Sequence, residues 1–118
     1  MNDDLVYIDA MLVRTMGNQA LAVILFKKFF SELPEQLKEI EIAIDTQEKG
    51  VAQEKIHKLQ GGFNFCGFLE LQGLAENLEK KLWENELDPV KESLKLLSEK
   101  VRQFYSLETI ILKRLESK

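Results

Sequence analysis

Apolar residues recur every three or four positions along nearly the whole chain, the spacing of amphipathic helices and not the alternation of strands. Leu5, Ile8 and Leu12 form one such stripe, with Met11 beside it, and predict a first helix from about Asp4 to Met16. Gly17-Asn18 reads as a stop and a restart, with Asn18 as the N-cap of a second helix. That helix carries Ala20 to Phe26 and then Phe29-Phe30, is apolar almost all round, and needs cover on two sides. Pro34 is expected to break or kink it. A third helix then places Leu37, Ile40 and Ile44 on one stripe, with Ala43 adjoining, and ends near Asp45-Thr46.

The next helix is predicted from about Gln47 or Val51 to Phe65. Ala52, Ile56, Leu59 and Phe63 define its buried stripe. His57 is not on that stripe. Positions three and four away from it, and their repeats, are Gly50, Gln53, Glu54, Gln60, Gly61 and Asn64, all polar or small. One helix thus has a greasy side for a core and a polar side, bearing the imidazole, for solvent or a docking partner. A further helix from about Gly67 to Glu84 has Leu71, Leu74, Ala75, Leu78 and Leu82 as its seam. Asp88-Pro89 is a strong start signal. The last helix is expected to run from Pro89 to about Glu116, through Leu94, Leu97, Val101, Phe104, Glu108, Ile111, Leu112 and Leu115. At 1.5 Å per residue it would be roughly 40 Å long, so its tail projects or crosses the bundle.

These elements imply an all-α fold: an antiparallel up-down four-helix bundle over about 34–117, covered by one or two additional N-terminal helices within 1–33. A chain of 118 residues suits a single domain over 1–118 with one core. Six Gly and two Pro, spread out, leave little turn chemistry for strands. The net charge of −4 and the lack of any basic run longer than two residues argue against nucleic acid as a partner. The single cysteine, Cys66, excludes an internal disulfide and fits a reducing, cytoplasmic setting. No basic signal region opens the sequence, and Ala20 to Phe26 is too short to span a membrane.

His57 is the only histidine. With His57 exposed on a polar face as the candidate nucleophile, no second histidine is left to act as base for a serine or cysteine. Glu54-Lys55-Ile56-His57 matches one Glu-x-x-His element, but a di-metal bundle needs two. Phosphate-loop signatures are absent, so neither ATP binding nor autonomous kinase activity is expected. No metal site and no cofactor are expected. What a lone exposed imidazole can do near pH 7 is attack phosphorus, and phosphoryl transfer asks the protein mainly for positioning and charge neutralisation. Gly61, one turn from His57 on the same face, would spare the imidazole and an incoming partner from crowding. Gly61-Gly62 carries a helix cost of about 1 kcal/mol per residue, which suggests an approach or packing requirement.

The segment Ile56 to Leu82, IHKLQGGFNFCGFLELQGLAENLEKKL, resembles a histidine-containing phosphotransfer (HPt) domain, with Leu59, Gly61, Gly67, Leu78 and Glu79 at the family's positions relative to His57. Phe29 to Leu37, with Pro34, is similar to the family's entry into its bundle. The segment is also similar to the phosphotransfer domain of BarA-like tripartite hybrid sensor kinases. The resemblance implies that His57 is the phosphoacceptor, with Gln60, Lys58 and Gly61 as helpers. Many members carry Lys where Gln60 stands; here a neutral amide replaces the cation, and Lys58 and Lys55 compensate only in part. The resemblance further implies a cytoplasmic monomer whose partners are the receiver domain of a hybrid sensor kinase, a response regulator, or both, with Mg²⁺ on the receiver. Docking is expected at Gln53, Glu54 and Asn64 and at apolar residues of the N-terminal helices, for which Ile8, Met11, Leu12 and Phe26 are candidates. The alternative is a helical adaptor or antagonist that binds signalling proteins without using His57. Dimerisation, if any, would fall on Phe104 to Leu112.

Overall fold

The computed structural model describes residues 3–117; Met1, Asn2 and Lys118, the ends of the expected single domain, lie outside them. The described residues form six helices and no strand: α1 (Asp3–Arg14), α2 (Gln19–Asp45), α3 (Lys49–Cys66), α4 (Leu69–Trp83), α5 (Leu87–Ser106) and α6 (Glu108–Glu116). The second half of α2, with α3, α4 and α5, makes the up-down bundle, each packed on the next. The first half of α2 continues beyond that bundle, and α1 and α6 pack against it.

Pro34 does not divide α2. The helix runs unbroken for 27 residues. A proline there removes one helical hydrogen bond and crowds the preceding turn, at a cost of about 3 kcal/mol. Phe30, Leu33 and Leu37 on either side of it are buried, and burying each contributes roughly 1.5–3 kcal/mol. Tertiary burial therefore overrides the local breaker. At the other end of α2, Asn18 caps the helix as its sequence position suggests: its side-chain oxygen accepts from the Leu21 amide at 3.0 Å.

The last helix is two helices, not one. It turns at Leu107 (φ −88°, ψ 0°), where the Leu107 amide falls back to the Phe104 carbonyl and Ser106 Oγ donates to the Gln103 carbonyl at 2.6 Å. The tail then folds onto α2 and α1, burying Ile111 and Leu115. The four-helix bundle accordingly ends at Ser106, and Phe104 and Ile111 of the stretch considered for dimerisation are interior. Asp4, at the start of α1, is nearly buried and pairs with Arg114 of α6 at 2.5 Å.

The buried stripe of α1 is rotated by about one position from the expected one. Tyr7, Ile8 and Met11 point inward with Asp4, while Leu5 is exposed. Tyr7 enters an aromatic cluster with Phe68 (ring centroids 5.0 Å, edge-on) and Phe104 (4.5 Å). Phe30 stacks on Phe104 at 4.8 Å, and Phe29 stacks on Phe63 at 5.7 Å. Phe68 arrives there because Gly67 ends α3 in the left-handed region (φ +74°), with Gly67 and Phe68 amides returned to the Asn64 and Phe63 carbonyls.

Phe104 touches four other rings of this cluster. Phe104→Ala is expected to lower unfolding stability by about 3–5 kcal/mol in a urea titration. The neighbouring, partly exposed Tyr105 should cost less than about 1 kcal/mol when changed to Ala.

Burial pushes the Cys66 thiol up from its ordinary 9.0 to about 11, with Arg14 opposing weakly. Below 9 both folded and unfolded chains hold the proton and the contribution is whole. Between 9 and about 11 only the unfolded chain releases it, so stability falls as pH rises, by about 2–3 kcal/mol in all. Urea midpoints measured across that window should decline less in Cys66→Ala than in the parent.

Candidate functional site

The α3 stripe is as the sequence reads: Ala52, Ile56, Leu59 and Phe63 are buried, with Cys66 one step further. That seats α3 between α2 and α4 and leaves the polar side outward. His57 is 76% exposed. Its Nδ1 lies 3.4 Å from Oε2 of Glu79 on α4, a carboxylate whose side chain is only 19% exposed. The neighbouring Leu78 is fully buried, which fixes the rotation of α4 and hence the position of Glu79. A carboxylate at Nδ1 favours the tautomer with its proton on that nitrogen, so the Nε2 lone pair is free.

Sequence reasoning noted Glu79 as a patterned position but gave it no part in the site. The signal was its spacing from His57 in an antiparallel helix pair, where the following helix brings it back alongside.

Gln60 is half-buried, and its Oε1 lies inside with no hydrogen-bond partner, leaving the amide NH₂ toward solvent. Lys58 is exposed but lines grooves on the α2 side, beside Gln36 and Glu39. Lys55 is committed to Glu39 of α2 at 2.5 Å, an ion pair and hydrogen bond that raise the lysine's pKa. The compensation expected from Lys55 and Lys58 thus lies on the far side of α3 from Glu79.

Gly61 is exposed, and a Cβ built on it meets nothing within 4 Å, not even the imidazole. The expected crowding of His57 does not arise within this chain. Any need for glycine there comes from a molecule that approaches. Gly62 differs, because its Cβ would press on Phe29 Cζ at 3.4 Å.

Of the docking candidates, Glu54 and Asn64 are exposed and Gln53 is half-buried on the His57 side. Ile8, Met11 and Phe26 are core residues, so their surface is not available to a partner, and Leu12 is partly buried. Phe26 stacks on Phe30 and Phe68, and α6 folds back onto α1 and α2, a layer which the sequence reading did not include. Exposed apolar side chains include Val13 near the end of α1, Met16 in the turn after it, and Phe65 on α3. Arg14 Nη2 donates to the Asn64 carbonyl at 3.3 Å and ties that end of α1 to the His57 helix. Phe65 was legible as an apolar residue off the α3 stripe.

Among the described residues no cluster of three or more His, Cys, Asp and Glu side chains could hold a metal ion. No single described helix is long and apolar enough to cross a membrane.

The Hpt domain family model matches residues 24–106. The fold is similar to a solved HPt domain from a Shewanella hybrid sensor histidine kinase, at 23% identity and a TM-score of 0.79, covering 92% of this chain and 94% of that one. No curated protein sequence matches the chain.

Because a Cβ at Gly61 meets only solvent, Gly61→Ala is expected to raise unfolding stability by up to about 1 kcal/mol in urea. Gly62→Ala, set against Phe29, should gain less or lose.

Proposed function

The chain belongs to the Hpt domain family, and from that premise we propose that it is a phosphorelay intermediate of two-component signalling, taking a phosphoryl group on His57 from a receiver-domain aspartate and passing it to the aspartate of another receiver. The observation that supports this most is the pairing of an exposed imidazole with a carboxylate at Nδ1. In the forward step the Nε2 lone pair attacks phosphorus, an N–P bond forms, and the P–O bond to the aspartyl carboxylate breaks. The aspartate leaves as a carboxylate. The proton stays on Nδ1, and Glu79 stabilises the cationic ring that results. The return step reverses the same bonds, with the second receiver's carboxylate as nucleophile.

Charge on the phosphoryl oxygens has to be met mostly by the receiver, through its Mg²⁺ and its own cations. The two lysines nearest His57 in sequence turn toward α2, and Gln60 offers an amide donor. No nucleotide or autonomous kinase activity is part of this reading. The chain's own contribution is a nucleophile, a carboxylate and a surface. That surface comprises Glu54, Gly61 and Asn64, extended by Val13, Met16 and Phe65 in place of the buried candidates. A receiver placed over His57 would pass directly above Gly61, which accounts for glycine at a position that nothing in the chain requires. A cytoplasmic location and a monomeric state complete the reading.

The test is transfer from a panel of ³²P-labelled phospho-receiver domains in Mg²⁺. The wild type is expected to take up acid-labile, base-stable label, and His57→Gln to take up none while keeping the same unfolding midpoint. Gly61→Ala, though folded and stable, should accept label more slowly. Label retained by His57→Gln would sink the assignment. Tight binding of receivers without any labelling would favour an adaptor.

A further inference from the structure

Trp83, the last residue of α4, is the only tryptophan and is 62% exposed. A large indole left in water forgoes the burial of an area of about 150–250 Å², and tryptophan is the residue most enriched where partners bind. Two contacts fix where it stands relative to His57. On α4, Trp83 follows Glu79 by one helical turn, roughly 6 Å along the same side. On α3, Lys49 precedes His57 by about two turns. Lys49 Nζ sits over the Trp83 ring, 5.6 Å from its centroid, as Glu79 sits against His57. Both contacts bridge α3 and α4, so indole and phosphoacceptor share the solvent side of a single seam.

The indole is held, not merely exposed. Lys49 Nζ also donates to Asn85 Oδ1 at 2.8 Å in the turn after α4, where Asn85 adopts φ +61°. One ring face is therefore backed by a cation with a second anchor, and the other is left to solvent. Leu87, just beyond, is half-exposed and extends the apolar surface. Its neighbours Glu84 and Glu86 are exposed carboxylates. Glu84 pairs with Lys81 at 3.6 Å, so the patch is a small apolar anchor with charges of both signs around it.

We propose that Trp83, braced by Lys49, is a docking anchor for the same receiver domain that exchanges phosphate with His57, at the opposite end of the site from Val13, Met16 and Phe65. This rests on the relay reading above. The occupant is argued from continuity, because a receiver that covers His57 and Glu79 reaches one turn further to the indole. The anchor calls for an apolar side chain on the receiver at that edge. An anchor on each side of His57 fixes the rotation of the receiver about the line of transfer as well as its approach.

As the single tryptophan, Trp83 reports on itself. Titration with a receiver that labels wild-type His57 should shift its emission to the blue, saturably, in the wild type and equally in His57→Gln. A receiver without tryptophan, or with its own replaced, serves as the probe. Trp83→Ala should keep the parental unfolding midpoint yet lower kcat/KM for phosphoryl transfer by about tenfold or more, mainly through KM. Trp83→Phe should recover most of that loss. Transfer that proceeds with no change in emission, and at an undiminished rate in Trp83→Ala, would overturn the proposal while leaving His57 as the acceptor. An emission shift that depends on the concentration of this chain alone would assign the indole to a second copy instead. If no receiver labels His57 at all, the relay reading fails first and the anchor with it.

Discussion

The aromatic cluster around Phe30 and Phe104 is the contact from which the rest of the molecule takes its geometry. It joins α1 through Tyr7, α2 through Phe29 and Phe30, the α3–α4 turn through Phe68, and α5 through Phe104 itself. Because α2 supplies rings to this junction and side chains to the bundle below it, the helix cannot break at Pro34 without losing one set or the other. Burial of Phe30, Leu33 and Leu37 outweighs the missing hydrogen bond. The cluster also fixes α3. Phe63 stacks on Phe29, and Gly62 lets Phe29 approach the α3 backbone. With that side of α3 committed, His57 is turned toward α4 and solvent, where Glu79 meets it.

What the sequence made legible was whatever depended on a single helix. The α3 stripe is a clear separation of apolar from polar positions, so the exposure of His57 followed without tertiary information. Asn18 acts within its own first turn, and its capping role was readable for the same reason. Other features depended on partners far along the chain. Asp4 was legible only as a helix start, and its partner Arg114 lies at the other end of the chain. Tyr7 did not count as apolar in the α1 pattern, yet its ring belongs to the core. Once Asp4 and Tyr7 turn inward, Leu5 must turn out, and the whole stripe shifts.

The reading of one long final helix failed for a related reason. The residues from Leu94 to Leu115 keep helical spacing across the break, since Phe104 and Ile111 are two turns apart. The fault in the pattern is Glu108, a charged residue on an apolar stripe, directly after Ser106 and Leu107. The turn there redirects α6 onto α2 and α1. Met11 and Phe26 are interior, Phe26 through its stacking on Phe30 and Phe68. The surplus of apolar residues in the N-terminal third, which suggested a docking surface, was instead the inner face of a second layer. Other apolar residues of the same third, among them Val13, Met16 and Ile24, stay exposed.

The electrostatics of the site argue for a division of labour between this chain and its partner. A phosphoryl group on His57 would stand beside Glu79 and one turn from the exposed Glu54, with Lys55 engaged by Glu39 and Lys58 turned toward α2. On the proposed reading Glu79 stabilises the imidazolium ring during transfer, but neither carboxylate favours the dianion attached to it. Charges within a few ångströms at a solvent-facing site interact by about 1–4 kcal/mol. An effect of that size shifts a transfer equilibrium by about one decade or more. In the proposed relay the missing counter-charge comes from the receiver, whose metal ion and cations would be present only while it is docked. On the proposed reading, phosphohistidine is stabilised in the complex and destabilised outside it. That arrangement favours passing the group on over storing it, and it makes the quality of docking, more than the reactivity of the imidazole, the property that distinguishes one receiver from another.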